Sequence, residues 1–170
     1  MPWYGAHTYL NEYISKNNCK RIVEIGVYTG ENAFSMVKTA IEHAPDPREI
    51  EYYGFDLFLN VPPDQIRQKL ERLGCTVALF GGNTLETLPS SVGSLPKMDL
   101  IFIDAGKSFV EATSDWQNTE RLVHDSTGVF VHNADFPGVR RMIDQVSRER
   151  YRIEVFSVPS EGSVALITRK

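Results

Sequence analysis

Hydrophobic and polar positions along this chain alternate between two patterns. Short runs rich in β-branched and aromatic residues predict strands that are buried on both faces, because such strands have no polar side. Longer stretches between them carry apolar residues at helical spacing, which predicts amphipathic helices. The predicted strands are Arg21–Ile25, Glu51–Asp56, Thr76–Phe80, Met98–Asp104 and Gly128–His132.

Helices are predicted between these strands and at the start of the chain. Prolines, glycines and capping residues mark their ends. The predicted helices lie within 1–18, at Glu31–His43, at Pro62–Leu73, after the capping pair Ser108 and Glu111, and from Asp135 onward. The inner face of the helix after Ser108 is predicted to hold Phe109, Ala112, Trp116 and Val123.

The end of the chain has a different pattern. Tyr151–Val158 and Ser163–Arg169 are extended runs joined by a short turn, which predicts an antiparallel hairpin. The earlier alternation of strand and helix is typical of a parallel sheet covered on both faces. We therefore predict a Rossmann-like, doubly wound α/β fold over residues 1–170 as a single domain. Its seven-stranded sheet would be mostly parallel and end in the antiparallel hairpin.

Composition narrows the class of protein. The 170 residues are 42% apolar and carry 18 basic and 22 acidic side chains, a net charge of −4. No broad basic surface follows from that balance, so nucleic acid is not a predicted partner. Two cysteines do not make a disulfide framework, and no apolar run reaches the ~18 residues of a membrane span. We expect a soluble cytoplasmic protein, with His7, His43 and His124 on its surface.

Polar or glycine clusters follow each predicted strand. In open α/β sheets, ligands bind beyond the carboxyl ends of the strands, where the strand order reverses. The sequence therefore predicts one binding site built from several strand ends. The clusters are Glu24–Gly30, Asp56–Phe58, Gly81–Thr84, Asp104–Lys107 and His132–Asp135.

Each cluster has a binding interpretation and a structural alternative. Gly26 and Gly30 allow a tight turn whose helix start suits an anion, although the dinucleotide and phosphate-loop glycine patterns are absent. Asp56 can accept hydrogen bonds from ribose hydroxyls or cap its own loop. Asn83 can meet an adenine edge, or the segment can be a turn before a helix capped by Thr84.

The last two clusters are predicted to converge. Asp104 is expected to be solvated, paired or bound to a cation, since an unpaired buried carboxylate is costly. With His132 and Asn133 it could ligate a metal or position a substrate. The alternative is that His132 is a structural residue and Asp135 a helix cap.

Taken together, these segments resemble the class I S-adenosylmethionine-dependent methyltransferases. "VEIGVYTGENA" is similar to the family's first motif, with Tyr28 where a further glycine is common, and "GFDLF" is similar to its second. "FIDAGKSFVEATSDW" and "VFVHNADFPGVRRMIDQV" resemble one branch of the family. The resemblance covers nearly the whole chain from Cys19 onward, including the terminal hairpin.

The resemblance implies a cofactor site for S-adenosylmethionine, with S-adenosylhomocysteine as product. Its methionine part would lie against the turn after the first strand, its ribose against an acid, and its adenine against the third strand end. The implied cofactor residues are Glu24, Gly26, Tyr28, Gly30, Asp56, Leu57, Asn83, Thr84 and Asp104. Methyl transfer to an oxygen or nitrogen nucleophile of a small molecule would follow, with Asp104 or His132 as the catalytic base.

Three alternatives stay open at this level. Cation-dependent O-methyltransferases have metal ligands at positions like Asp104, His132 and Asn133. Here the histidine replaces a carboxylate, and Mg²⁺ prefers oxygen ligands. No metal site is therefore predicted. A non-catalytic cofactor-binding domain and an NAD-dependent oxidoreductase are the rival functions. The segment Trp3–Tyr13 or a second subunit, as in a homodimer, could cover the site.

Overall fold

The computed structural model describes residues 7–170, and its elements alternate as the sequence predicts. Within these described residues, seven strands form one sheet, with six α-helices around it. The strands are β1 Arg21–Ile25, β2 Glu51–Asp56, β3 Thr76–Gly81, β4 Met98–Ile103, β5 Val123–His132, β6 Tyr151–Val158 and β7 Gly162–Arg169. The helices are α1 Thr8–Asn17, α2 Glu31–Glu42, α3 Pro63–Glu71, α4 Thr84–Ser91, α5 Phe109–Glu120 and α6 Pro137–Gln145.

The sheet has the strand order β3-β2-β1-β4-β5-β7-β6. Strands β1 to β5 are parallel, whereas β7 runs antiparallel to both β5 and β6. This confirms the predicted doubly wound sheet with its terminal hairpin. The chain moves outward from β1 to β3 and then returns to the other side of β1, so the switch point lies between β1 and β4.

Apolar side chains fill both faces of the sheet. One layer joins α1, α2 and α3 to the sheet through residues such as Ile14, Met36 and Leu70, all fully buried. The other layer joins α4, α5 and α6 through Leu88 and Met142, among others. Because both faces are covered, ligands have access mainly to the ends of the strands.

The boundary between α5 and β5 was predicted wrongly. Val123 belongs to β5, where it pairs with Met98, and not to the inner face of α5, which ends at Glu120. The Thr127 hydroxyl donates to the Met98 carbonyl at 2.6 Å and accepts the His124 N–H, so polar residues continue the strand. Because polar residues follow Val123, the apolar run is interrupted, and the sequence did not predict that the strand starts there.

Helix starts also differ from the predicted ones. The residue before α6 is Phe136, with Pro137 in the first turn, so Asp135 is not its cap. Helix α4 was predicted only as the structural alternative for the segment after β3, and its cap is Asn83 rather than Thr84. By contrast, the capping box of Ser108 is present at α5.

The N-terminal helix is confirmed from Thr8 to Asn17. Trp3, with which the predicted segment begins, lies outside the described residues. Across residues 7–170, every helix is too short or too polar to cross a bilayer.

Candidate active site

The turn after β1 and the acid at the end of β2 are built as one unit. Gly26 has a φ of 96°, and the turn places two successive backbone N–H groups toward β2. Asp56 Oδ2 accepts hydrogen bonds from the N–H groups of Val27 and Tyr28 at 2.8 and 2.9 Å. Its Oδ1 accepts the Phe58 N–H at 2.6 Å. The carboxylate therefore has a fixed orientation before any ligand arrives.

Tyr28 adopts an unusual backbone conformation in this turn. Its φ is 54°, in the left-handed region, which costs a non-glycine residue roughly 1 kcal/mol. Its side chain is 41% exposed. It stands where the resembled family commonly has glycine, so the ring adds a wall to the site.

Glu24 is buried beneath the turn at 1% exposure. Its Oε1 accepts from the Asn32 amide at 2.7 Å, and its Oε2 accepts from the Tyr52 hydroxyl. Burial raises the pKa of Glu24 to about 8, although these two hydrogen bonds act to lower it. The backbone N–H of His7 donates to the same Asn32 at 3.2 Å. A titratable acid thus lies at the centre of a polar cluster below the cleft.

A cleft of about 460 Å³ opens at the carboxyl ends of β1 to β4. All the predicted cofactor residues except Glu24 and Gly30 line it. Glu24 lines a smaller adjoining cavity of about 60 Å³, and both cavities share Gly26, Tyr28 and Asp104. Gly30 caps the N-terminus of α2 with a φ of 79°. The strand ends therefore meet around one elongated site, as the topology requires.

Helices α4 and α5 also contribute to the lining of this cleft, through Thr84 and Glu111. Asn83 Oδ1 accepts the Leu85 N–H at 3.0 Å and so caps α4. The NH₂ group of the same side chain is therefore available to other hydrogen-bond acceptors. Asp115 of α5 is fully buried, and neither carboxyl oxygen makes a hydrogen bond within residues 7–170. Burial raises its pKa to about 6, partly offset by the Thr84 hydroxyl, which lies nearby without hydrogen-bond geometry.

At the centre of the site, two cationic side chains converge on one oxygen of Asp104. His132 Nδ1 lies 3.0 Å and Lys107 Nζ 2.5 Å from Asp104 Oδ1. His132 Nε2 lies 2.5 Å from the backbone carbonyl oxygen of Glu161. Because a carbonyl oxygen only accepts, Nε2 must carry a hydrogen, and the carboxylate calls for another on Nδ1. The geometry thus fits a doubly protonated imidazolium.

The pKa values at this centre agree with the geometry. Burial alone would raise the pKa of Asp104, but the His132 hydrogen bond and the Lys107 charge hold it below its ordinary value. Burial would lower the pKa of His132, but its bond to Asp104 raises it. The three side chains form a charged cluster with one anion and two cations.

The β6–β7 turn completes the site from the other end of the chain. Glu161 Oε2 lies 2.9 Å from His7 Nδ1, and the His7 ring lies 5.1 Å from that of His132 and 5.2 Å from that of Phe102. The His7 side chain is only 15% exposed, so its prediction as a surface residue was wrong. Sequence reasoning missed both His7 and Glu161 as site residues.

The ligands of a divalent cation do not fit this centre. Asp104 supplies the one carboxylate at the ligand positions, and its Oδ1 is already occupied by two N–H donors. A Mg²⁺ site needs several oxygen ligands in near-octahedral geometry. Within residues 7–170, no group of three or more His, Cys, Asp or Glu side chains is arranged to hold a metal.

Comparisons with known proteins identify the family of the chain. A family model described as "Methyltransferase domain" matches residues 23–134, more than half of the chain. No curated protein matches the chain in sequence. Matching solved structures include a candidate O-methyltransferase from Klebsiella pneumoniae, with TM-score 0.78 and 21% identity over 95% of this chain and 78% of that chain.

Two further structures carry bound ligands. TomG from Streptomyces achromogenes, an O-methyltransferase of tomaymycin synthesis solved with S-adenosylmethionine, has TM-score 0.76 and 17% identity, with 95% of this chain and 78% of that chain covered. An O-methyltransferase from Bacillus cereus in complex with S-adenosylhomocysteine has the same score and identity, with 95% and 79% covered. At these identities the structures establish the fold, whereas the family model establishes the relationship. The chain belongs to the class I S-adenosylmethionine-dependent methyltransferase family.

Proposed function

We propose that this chain transfers a methyl group from S-adenosylmethionine to an oxygen or nitrogen nucleophile of a small-molecule acceptor. The observation that carries the proposal is the cleft at the β1/β4 switch point. Its volume of about 460 Å³ lies within the range of about 300–1,000 Å³ typical of small-molecule sites. Asp104, Asp56 and the pair Leu57 and Asn83 line it, and they would meet the methionine, ribose and adenine parts of the cofactor respectively.

The residues present fit the cofactor at both ends. Leu57 is 57% exposed beside Asp56 and offers an apolar face to an adenine ring, and the amide of Asn83, which also lines the cleft, would meet the edge of that ring. Asp56 keeps lone pairs for ribose hydroxyls, since each carboxylate oxygen can accept two hydrogen bonds. At the methionine end, Gly30 opens helix α2, whose first amides favour a carboxylate.

Asp104 lies between the two ends and lines both cavities. Its Oδ2 accepts no hydrogen bond from residues 7–170, because His132 and Lys107 both use Oδ1. That oxygen is available to the amino group of the methionine part. When bound, S-adenosylmethionine supplies an electrophilic methyl on a sulfonium, so the chain has to position the acceptor and exclude water.

The roles of Asp104 and His132 as bases remain predictions. His132 would have to give up a contact to Asp104 or to the Glu161 carbonyl before either ring nitrogen could accept a proton. Asp104 has a lowered pKa and is therefore a weak base. The geometry instead favours an electrostatic role, in which both side chains hold fixed charges in the site.

Calorimetric titration tests the proposal directly. We expect the purified chain to bind S-adenosylhomocysteine and S-adenosylmethionine but not NADH. Binding of NADH alone would support the oxidoreductase alternative and end the proposal. Methyl transfer from labelled cofactor to a panel of hydroxylated, carboxylated and amino acceptors then separates an enzyme from a non-catalytic binding domain.

A further inference from the structure

Asp115 is a buried acid that lies one helical turn along α5 from the lining of the cleft. It follows Glu111, which lines the cleft, by four positions, so the two side chains lie on the same side of the helix. Asp115 is 0% exposed, and neither of its carboxyl oxygens takes part in a hydrogen bond within residues 7–170. A buried carboxyl group without a hydrogen bond destabilises a fold, so its presence calls for a functional explanation.

Thr84 connects this acid to the cleft. It begins α4, which packs against α5, and it lines the cleft beside Asn83. Burial raises the pKa of Asp115 to about 6, and the nearby Thr84 hydroxyl acts in the opposite direction as a hydrogen-bond donor. Among the described residues, Thr84 supplies the one donor that acts on the Asp115 carboxyl in this way.

An ionised Asp115 determines how the Thr84 hydroxyl can be used. A hydroxyl has one hydrogen to donate and two lone pairs that accept, whereas a carboxylate only accepts. A Thr84 hydroxyl whose hydrogen points to Asp115 therefore presents only lone pairs to the cleft. Thr84 would then be an acceptor for a bound molecule and not a donor.

Asn83 offers the complementary group from the adjacent position. Its Oδ1 accepts the Leu85 N–H as the cap of α4, so its NH₂ group is the part available to a ligand. Asn83 thus supplies a donor and Thr84 an acceptor. Adenine has the matching pattern, because its 6-amino group donates while the ring nitrogen N7 beside it accepts. A purine with an oxo group at position 6 has two acceptors there and does not match.

We propose that Asp115 is a positioning residue that sets the base specificity of the cofactor site, by holding Thr84 as an acceptor for the 6-amino group of adenine. This inference rests on the proposed function, because it requires S-adenosylmethionine in the cleft. It assigns to Asp115 the rejection of cofactor analogues with a 6-oxo purine. Such a base would place its oxygen against the lone pairs of Thr84, and both groups would lose hydrogen bonds that water had supplied.

The test compares two ligands on the full chain at pH 8, where the Asp115 carboxyl is ionised. S-adenosylhomocysteine and S-inosylhomocysteine differ in having an amino or an oxo group at position 6 of the purine, and calorimetry gives the affinity of each. The variants are Asp115→Asn, Thr84→Val and Thr84→Ser. The matched controls are Asp144→Asn, an exposed acid of α6, and Thr39→Val, whose hydroxyl bonds within α2.

We expect the wild type to bind S-adenosylhomocysteine at least about tenfold more tightly than S-inosylhomocysteine, because a site rejects an analogue that leaves its polar groups unpaired. Thr84→Ser and both controls should keep this ratio. Asp115→Asn should bring it close to one, since a carboxamide can donate to Thr84 and leave the hydroxyl hydrogen for the oxo group. Thr84→Val should also bring it close to one. The double variant should lose no more discrimination than either single variant.

Three results would contradict the inference. A wild-type ratio close to one would refute the base specificity, and an unchanged ratio in Asp115→Asn would refute the role of Asp115. An unchanged ratio in Thr84→Val would assign the discrimination to another acceptor of the cleft, such as Glu111. Should Asp115→Asn fail to fold, the contrast between Thr84→Val and Thr84→Ser still decides whether the hydroxyl discriminates.

The proposed function fails in a different way. If S-adenosylhomocysteine did not bind the wild type, the proposed function would be refuted, and this inference with it. Each of the three contrary results above instead requires that S-adenosylhomocysteine binds, so the proposed function would stand.

Discussion

The Asp56 carboxylate at the end of β2 accepts the Tyr28 N–H at 2.9 Å across the turn that follows β1. The same oxygen also accepts the Val27 N–H, so one side chain fixes the shape of a neighbouring loop. An acid in this position has two tasks in the proposed enzyme. It holds the turn, and its remaining lone pairs meet the ribose.

Asp56→Asn separates these two tasks. We expect S-adenosylhomocysteine to bind the variant at least about tenfold more weakly, because hydrogen bonds to a charged group contribute roughly 1.5–3 kcal/mol. The wild type should discriminate against the 2′-deoxy analogue, and the variant should discriminate much less. Calorimetry with both ligands gives the coupling between the carboxylate and the hydroxyl.

Glu51→Gln, at the opposite end of β2, is the matched control. It should leave both affinities unchanged, since Glu51 pairs with Arg21 away from the cleft. Equal discrimination by the wild type and Asp56→Asn would mean that Asp56 only holds the turn.

Gly26→Ala should damage both fold and site. A Cβ at Gly26 would lie 2.3 Å from the carbonyl oxygen of Asp104 and 2.7 Å from its carbonyl carbon, so β1 and β4 would have to separate. With the left-handed φ added, we expect a loss of about 3 kcal/mol or more in the free energy of unfolding. Urea denaturation measures it.

Gly93→Ala is the control for this substitution. The nearest side-chain atom to a Cβ there is 3.9 Å away, on Arg121. Its unfolding midpoint should stay close to that of the wild type. A similar midpoint for Gly26→Ala would show that the strand ends are more compliant than their packing indicates.

Asp115→Asn should stabilise the fold at neutral pH. The pKa of Asp115 rises from 3.8 to about 6 on burial, so the folded state keeps a proton that the unfolded state has lost. Stability from this group is therefore lost as pH rises from 4 to above 6, by about 3 kcal/mol at pH 7. The amide carries no charge and avoids much of this cost.

The measurement is the free energy of unfolding of wild type and Asp115→Asn at pH 4 and pH 7. The gain in the variant should be about 1–3 kcal/mol at pH 7 and should nearly vanish at pH 4. Asp144→Asn, an exposed acid of α6, should show no such pH dependence. A variant that is less stable than the wild type at pH 7 would contradict the prediction.

Glu24 should make cofactor binding release a proton. Its pKa of about 8 in the free chain means that it is largely protonated at pH 7. The ammonium of a bound cofactor favours the ionised form, so affinity should fall as pH falls from 8 to 6, by up to about tenfold per pH unit. Calorimetry in buffers of different ionisation enthalpy counts the protons released.

Glu24→Gln should abolish this proton release and flatten the pH profile. Glu12→Gln, on the exposed side of α1, should preserve both. Proton release that persists undiminished in Glu24→Gln would assign it to another group.

The fold was predictable because local and long-range requirements agree in most elements. The predicted bounds of β1, β2 and β6 match the structure, since apolar runs there end at turn residues. The start of β5 was not predictable, because His124 and Thr127 are polar and their place in the sheet depends on bonds to Asp99 and Met98. Such partners are separated by more than twenty residues and leave no periodic signal.

The site residues that directly follow a strand were predictable from the sequence. Asp56 and Asp104 follow apolar runs directly, so topology alone brings them to one edge. Lys107 was visible in the fourth cluster, three residues after Asp104, but its ion pair depends on the loop conformation. His7 lies in the segment Trp3–Tyr13 that was expected to be able to cover the site, but nothing singled out His7 itself or Glu161, since neither follows a parallel strand.

The contact between His7 and Glu161 spans 154 positions in sequence. Closing a loop of that length costs more chain entropy than forming a local contact, so we expect this contact to form after the local helices. The positively charged centre that His132 shares with the Glu161 carbonyl would then be among the last parts of the fold to form. A chain that had already formed most of its sheet would still lack the assembled charged centre. Methyl-transfer activity would therefore return later than compactness during refolding.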